Sequence, residues 1–234
     1  MQKGYILLLF LVFGGAPFIL LAQDTIPAAQ IDSLYREDQF YIGITYNLIN
    51  DVPSGVNARG LSGGLQAGFL RDMPLNKRRN IALAIGAGLA YDQFGQNLFI
   101  GETDDNKTIF RVIDQGVDFN QNRFSMAAIE APIEFRWRSS SPSVYKFWRV
   151  YAGFKVGYAY WYKATFKQSG NNVYQTDIPE FDKVRFSASL SMGYDTFNFY
   201  ASYSINPFFE DAFAVNGGRV EFRTLKFGLM FYIL

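Results

Sequence analysis

Between residues 148 and 163 the chain alternates with a period of two. Trp148, Val150, Ala152, Phe154, Val156, Tyr158, Tyr160 and Tyr162 form an apolar and aromatic set. Arg149, Tyr151, Gly153, Lys155, Gly157, Ala159, Trp161 and Lys163 form a set in which small and charged residues prevail. Successive side chains of a β-strand point to opposite faces, so the run predicts one long strand between two unlike surroundings. An aqueous surface has little use for so many consecutive outward hydrophobes. A strand that crosses a bilayer needs them, apolar toward the acyl chains and polar toward a barrel lumen.

Seven further runs repeat the pattern. Phe40, Ile42, Ile44, Tyr46 and Leu48 alternate with Tyr41, Gly43, Thr45 and Asn47; Leu61, Leu65, Ala67 and Phe69 with Ser62, Gly64, Gln66 and Gly68. Ile81, Leu83, Ile85, Leu89 and Tyr91 face away from a nearly all-small set, Ala82, Ala84, Gly86, Gly88 and Ala90. Ile129, Ala131, Ile133, Phe135 and Trp137 oppose Glu130, Pro132, Glu134, Arg136 and Arg138. Pro132 has no N–H for a ladder, which predicts a bulge or a local irregularity in pairing. Val184 to Met192, Phe197 to Ile205 and Leu225 to Ile233 complete the set, with a tight turn at Asp195 and Thr196. The expected fold class is all-β: an eight-stranded antiparallel up-and-down transmembrane β-barrel, the small closed size whose interior side chains fill. A soluble sandwich or lipocalin-like barrel is the competing reading.

Connection lengths set the orientation. Residues 93–123, 164–182 and 207–219 are long connections and 139–147 and 195–196 short ones, whereas 50–60 and 71–80 are similar in length. Barrels of this kind keep short turns in the periplasm and long loops outside, which places both termini in the periplasm. Phe40, Trp137, Trp148, Tyr194 and Phe197 then form one interfacial girdle, and Tyr46, Tyr91, Tyr158, Tyr160 and Tyr203 the other.

Composition supports the membrane reading. Aromatic residues make up 18% of the 234 residues, an excess that bilayer interfaces use. Beyond the N-terminus no apolar run reaches the ~18 residues of a spanning helix, whereas a tilted strand needs only about 9 to 11. Hydrocarbon leaves no backbone group unpaired, so a closed sheet is the remaining way across. Residues 1–22 carry Lys3, apolar runs, and Ala22 before Gln23, as expected of a cleaved signal peptide; a retained anchor helix is the alternative, interrupted by Gly14, Gly15 and Pro17. The expected organisation is signal at 1–22, periplasmic segment at 23–39, with Ile31, Leu34 and Tyr35 hinting at one amphipathic turn, and barrel at 40–234. The expected location is the outer membrane, with its lipid as a partner. There is no cysteine, hence no lipidated cysteine to tether the chain, and a net charge of +1 gives no field for nucleic acid.

Charged residues are few and regularly placed. Glu130, Glu134, Arg136, Lys155, Arg185 and Lys226 all fall on the inward parity. A charge facing lipid near the midplane costs roughly 2 to 4 kcal/mol, so inward is where they belong. They are expected to form a compensated lumen network, the other reading being a polar conduit or proton relay. Arg71, Lys77, Arg78 and Arg79 with Asp72 give the first periplasmic turn a net +3, while residues 93–123 carry a net −2. That turn is either a solvated basic surface meeting headgroups or a docking site for a periplasmic partner. With no histidine and no cysteine, the usual triads and thiol chemistry are excluded, and the carboxylates lie among cations without a cleft. No enzymatic activity and no cofactor are expected.

Several stretches are familiar in combination: Phe40-Tyr41-Ile42-Gly43 with Tyr46-Asn47, Gly68-Phe69-Leu70-Arg71-Asp72-Met73-Pro74 with Asn76-Lys77-Arg78-Arg79-Asn80, Ile129 to Arg138, Tyr145-Lys146-Phe147-Trp148-Arg149, and the closing Leu225 to Leu234. Together they resemble the PorT family of outer-membrane barrels of Bacteroidota across essentially the whole mature chain. The resemblance implies a component needed for type IX protein secretion, with other envelope proteins of that system as partners. Lys226, Gly228, Phe231 and Ile233 look like the C-terminal signature read by the barrel assembly machinery during biogenesis, though Leu234 stands where many such barrels end in Phe. The alternatives are a structural or adhesive surface barrel acting through residues 93–123, and a small-solute porin, which the strand count disfavours.

Overall fold

The computed structural model describes residues 38–139 and 147–233. The expected signal peptide at 1–22, nearly all of the expected periplasmic segment at 23–39, Tyr145, Lys146 and Leu234 lie outside the described residues. The described residues form eleven strands: β1 (Gln39–Asn50), β2 (Gly63–Pro74), β3 (Ile81–Gly95), β4 (Leu98–Glu102), β5 (Thr108–Val112), β6 (Gln121–Arg138), β7 (Trp148–Gln168), β8 (Asn171–Gln175), β9 (Val184–Tyr194), β10 (Phe197–Ser204) and β11 (Arg223–Ile233). Eight of them close an antiparallel barrel in the order β6-β3-β2-β1-β11-β10-β9-β7, with β7 returning to β6. The terminal strands meet along their whole length, from Phe40 opposite Ile233 to Asn50 opposite Arg223. No barrel edge is left unpaired, as hydrocarbon requires.

Each predicted strand is present, and its parity sorts the side chains as the hydropathy pattern demands. On β1, Phe40 is 61% exposed on the outer wall while Tyr41 is 2% exposed in the lumen. Ile42, Ile44 and Tyr46 follow Phe40 outward, and Thr45 and Asn47 follow Tyr41 inward. The two aromatic girdles stand at the ends of this apolar band. Phe40 packs on Phe69, Trp148 on Tyr194 and Phe197 on Phe231 at the periplasmic end, and Tyr91 stacks on Trp161 at the outer end.

Two details of strand geometry differ from expectation. The sheet holds register through Pro132, which pairs with Lys155 on one side. On the other side the β3–β6 ladder is interrupted between Ile85–Ile133 and Gly88–Glu130 without shifting. The missing N–H therefore opens a gap rather than a bulge. The bulge is elsewhere: Ala127 pairs with Trp161 and Ala128 with Ala159, so Tyr160 is the extra residue on β7. Tyr160 and Trp161 consequently both face outward, Tyr162 turns toward the interior, and Lys163 stands on the outer wall, reversing the parity that strict alternation assigned to the last three.

The long connections are not plain loops. β6, with 18 residues, and β7, with 21, exceed the about 9 to 11 that span a bilayer, so both continue outside. There β8 extends the sheet along β7, and β4 and β5 form a separate hairpin. At the opposite end Asp195 takes a φ of 56° in the two-residue turn between β9 and β10, a left-handed conformation that Asp tolerates well.

Candidate functional site

The lumen is filled in layers. Nearest the periplasm, Arg138 grips Asp72 in a bidentate pair, Nη1 to Oδ1 at 3.0 Å and Nη2 to Oδ2 at 2.9 Å, and donates from Nε to the Arg79 carbonyl at 2.8 Å. Arg136 also donates to Asp72, at 3.3 Å, and to Glu134 at 3.0 Å. The Arg136 guanidinium lies 4.7 Å from the Tyr151 ring centroid and 5.8 Å from that of Tyr232. At this end Arg149 stacks over Phe147 and donates to the Asp195 carbonyl. These arginines are fully buried, which is tolerable only because carboxylates, carbonyls and ring faces replace water around them.

The middle layer centres on Lys155. Its ammonium donates to Gln66 at 2.6 Å and Glu130 at 3.1 Å and lies over the Tyr200 ring. Tyr41 lies across Gly68 and Gly88, where a Cβ on either glycine would collide with its hydroxyl. Those glycines are the reason a Tyr fits inside so narrow a cylinder. Above, Lys226 pairs with Asp92 at 2.5 Å, and Asn47 donates to the same carboxylate at 2.9 Å while accepting from Thr45.

The outer mouth is closed by hydrocarbon. Phe94, Phe124 and Met126 from the barrel strands meet Leu98, Ile100 and Phe110 of the β4–β5 hairpin. Ile178 and Phe181 come in before β9, and Phe208, Phe209, Ala212, Ala214, Val220 and Phe222 between β10 and β11. Their rings meet edge-on or tilted, Phe94 on Phe208 at 5.4 Å, Phe110 on Phe209 at 5.3 Å and Phe124 on Phe181 at 5.2 Å. This is a second hydrophobic core standing on top of the barrel.

The predicted lumen residues separate into groups. Glu130 with Lys155 and Glu134 with Arg136 are direct pairs, and Lys226 pairs with Asp92. Arg185 joins none of these: its guanidinium donates to the carbonyls of Asp182, Asn206 and Pro207 and lies 4.2 Å from the Phe208 ring centroid, fastening the cap to the barrel rim. Asp72 is the main correction. Sequence reading counted it with the basic turn, but it sits in the lumen as the common partner of Arg136 and Arg138. The outward parity of Phe69 already implied this, since Asp72 lies three residues on. Asp92, one residue past outward Tyr91, and Arg138 were legible in the same way.

The basic turn also divides. Arg71 is on β2, facing outward beside Asp38 at 3.8 Å. Lys77 and Arg78 are exposed at the turn itself, while Arg79 is half-buried with a φ of 55°. On β11, Lys226 and Gly228 have inward parity and Phe231 and Ile233 outward parity, in full pairing with β1. Among the described residues no group of three or more acidic side chains is gathered as a metal site would need.

A closed barrel of eight strands with a lipid-facing apolar wall, two aromatic girdles and a packed polar interior defines an outer-membrane β-barrel. By sequence the chain belongs to the family described as outer membrane protein beta-barrel domain, which it matches over residues 22–210. It resides in the outer membrane. No curated protein matches it by sequence. Among solved structures it is similar to Ail, the attachment invasion locus protein of Yersinia pestis, at 14% identity over 85% of this chain and 99% of that one, with a TM-score of 0.39.

Proposed function

We propose that this protein is a non-conducting, non-enzymatic surface barrel whose task is to hold a folded extracellular cap at the membrane, in a structural or adhesive role. The observation that carries this reading is the double closure, a lumen filled by ion pairs and tyrosines beneath a mouth sealed by aromatic side chains. A solute pore has no use for either. Loops that only joined strands would not need a core of their own, whereas a surface that binds must be held in one shape. Residues 1–22 serve as the export signal, and Lys226, Gly228, Phe231 and Ile233 as the strand read by the assembly machinery.

The second reading is the secretion role implied by the PorT resemblance, with the periplasmic turn as contact. It is favoured by one observation: Lys77 and Arg78 stand exposed on the turn between β2 and β3, a basic edge able to meet an acidic partner. Deleting the gene and measuring both the secreted proteome and attachment of cells to surfaces separates the two. Loss of attachment with an unchanged secretome supports the cap reading. Loss of many secreted proteins, reproduced by charge reversal at Lys77 and Arg78, supports secretion and overturns it.

A further inference from the structure

We propose that the outer wall of this barrel carries a built site for one phosphorylated lipid of the outer leaflet, with its phosphate held by Arg123, Lys163 and Lys167. The three cations come from adjacent strands, Arg123 from β6 and the two lysines from β7, and all line one concave pocket of about 310 Å³. The bulge at Tyr160 is what brings them together, because it turns Lys163 from the lumen to the outer wall. Ser125 and Thr165 form the pocket floor and add two hydroxyls. No carboxylate lines the pocket, and none of the three cations is in an ion pair among the described residues. Arg123 is held by a hydrogen bond to Gln93 at 2.9 Å, and Lys163 lies 4.2 Å from the Tyr174 ring centroid. Both are therefore oriented without being neutralised. Three half-buried positive charges with hydroxyls beside them are suited to a phosphate group.

The height of the pocket indicates where that phosphate comes from. Tyr91 and Trp161, stacked with centroids 6.3 Å apart, form the membrane-side wall of the pocket and belong to the outer girdle. The cations thus stand one to a few residues beyond the aromatic belt, at headgroup level. An apolar groove of about 610 Å³ begins at the same Tyr91 and runs down the lipid-facing wall past Leu61, Leu65 and Ile44 to Leu229. Its depression lies at Gly63, which has no side chain between Tyr46 and Gln93. A cationic pocket that meets an acyl-sized groove at Tyr91 matches one amphiphile better than a free ion.

Native mass spectrometry of the full chain released from phosphatidylcholine nanodiscs doped with diphosphoryl lipid A tests the assignment. Wild type is expected to retain the phosphorylated lipid and not its dephosphorylated form, and the Arg123→Gln/Lys163→Gln/Lys167→Gln variant to retain at least about tenfold less. Lys163→Gln alone should show a smaller loss, and Gly63→Leu a loss with the cations intact. Lys107→Gln/Arg111→Gln, exposed on the β4–β5 hairpin and outside the pocket lining, is the control with no change expected, and heat-modifiable migration verifies folding of every variant. Equal retention of phosphorylated and dephosphorylated lipid by wild type overturns the proposal. So does displacement of the lipid by excess inorganic phosphate together with indifference to Gly63→Leu, which would mark a free-anion site.

Discussion

Asp72 is the residue on which the periplasmic half of the lumen turns. Its two oxygens serve Arg138 and Arg136, and all three side chains are fully buried. Removing one partner of a buried ionic group leaves uncompensated charge, so Asp72→Asn should lower unfolding stability by about 3 to 5 kcal/mol in a urea titration of folded protein. Replacement of the group by well-packed apolar residues would cost far less, which distinguishes the penalty of a broken pair from the net worth of an intact one. On the opposite face, depth sets the cost. Phe154→Arg, midway between the girdles of β7, should destabilise by roughly 2 to 4 kcal/mol, whereas Tyr158→Arg at the outer girdle should cost about 0 to 1 kcal/mol. Similar losses at both positions would place the bilayer elsewhere on the wall.

At the scale of elements, the barrel strands and the cap differ in how they are encoded. A strand between oil and a packed lumen must alternate, so each of the eight was legible in its hydropathy pattern, and the inward charges followed from parity. Where alternation breaks, reading by twos fails: one extra residue at Tyr160 moved Trp161 and Lys163 to the outer wall. The cap was not legible for a related reason. Phe110, Phe181, Phe208 and Phe209 are spaced irregularly in sequence because they are delivered by short strands and turns from separate connections. No single period records a core assembled that way. The density of Phe in supposed loops was the available signal. Because the cap has a core of its own, it should loosen independently of the barrel. Phe209→Ala is expected to cost about 3 to 5 kcal/mol locally, making residues 205–222 susceptible to protease while heat-modifiable migration persists.

The eight barrel strands form a cylinder filled below and sealed above, standing in lipid. Such a body should pass no ions: reconstituted in planar bilayers it is expected to show no stable conductance, and steady selective channels would remove the non-conducting reading. The most direct test concerns the two faces of the wall, and the absence of native cysteine makes it simple. Single cysteines at Phe154, Ile44 and Leu229, and at the lumen positions Thr45, Ser202 and Ala128, can be probed in the folded, membrane-embedded protein with a lipid-phase thiol reagent and a water-soluble one. The first three should be labelled by the lipid-phase reagent alone, and the second three should be protected from both. Equal reaction of both sets with the water-soluble reagent would contradict this.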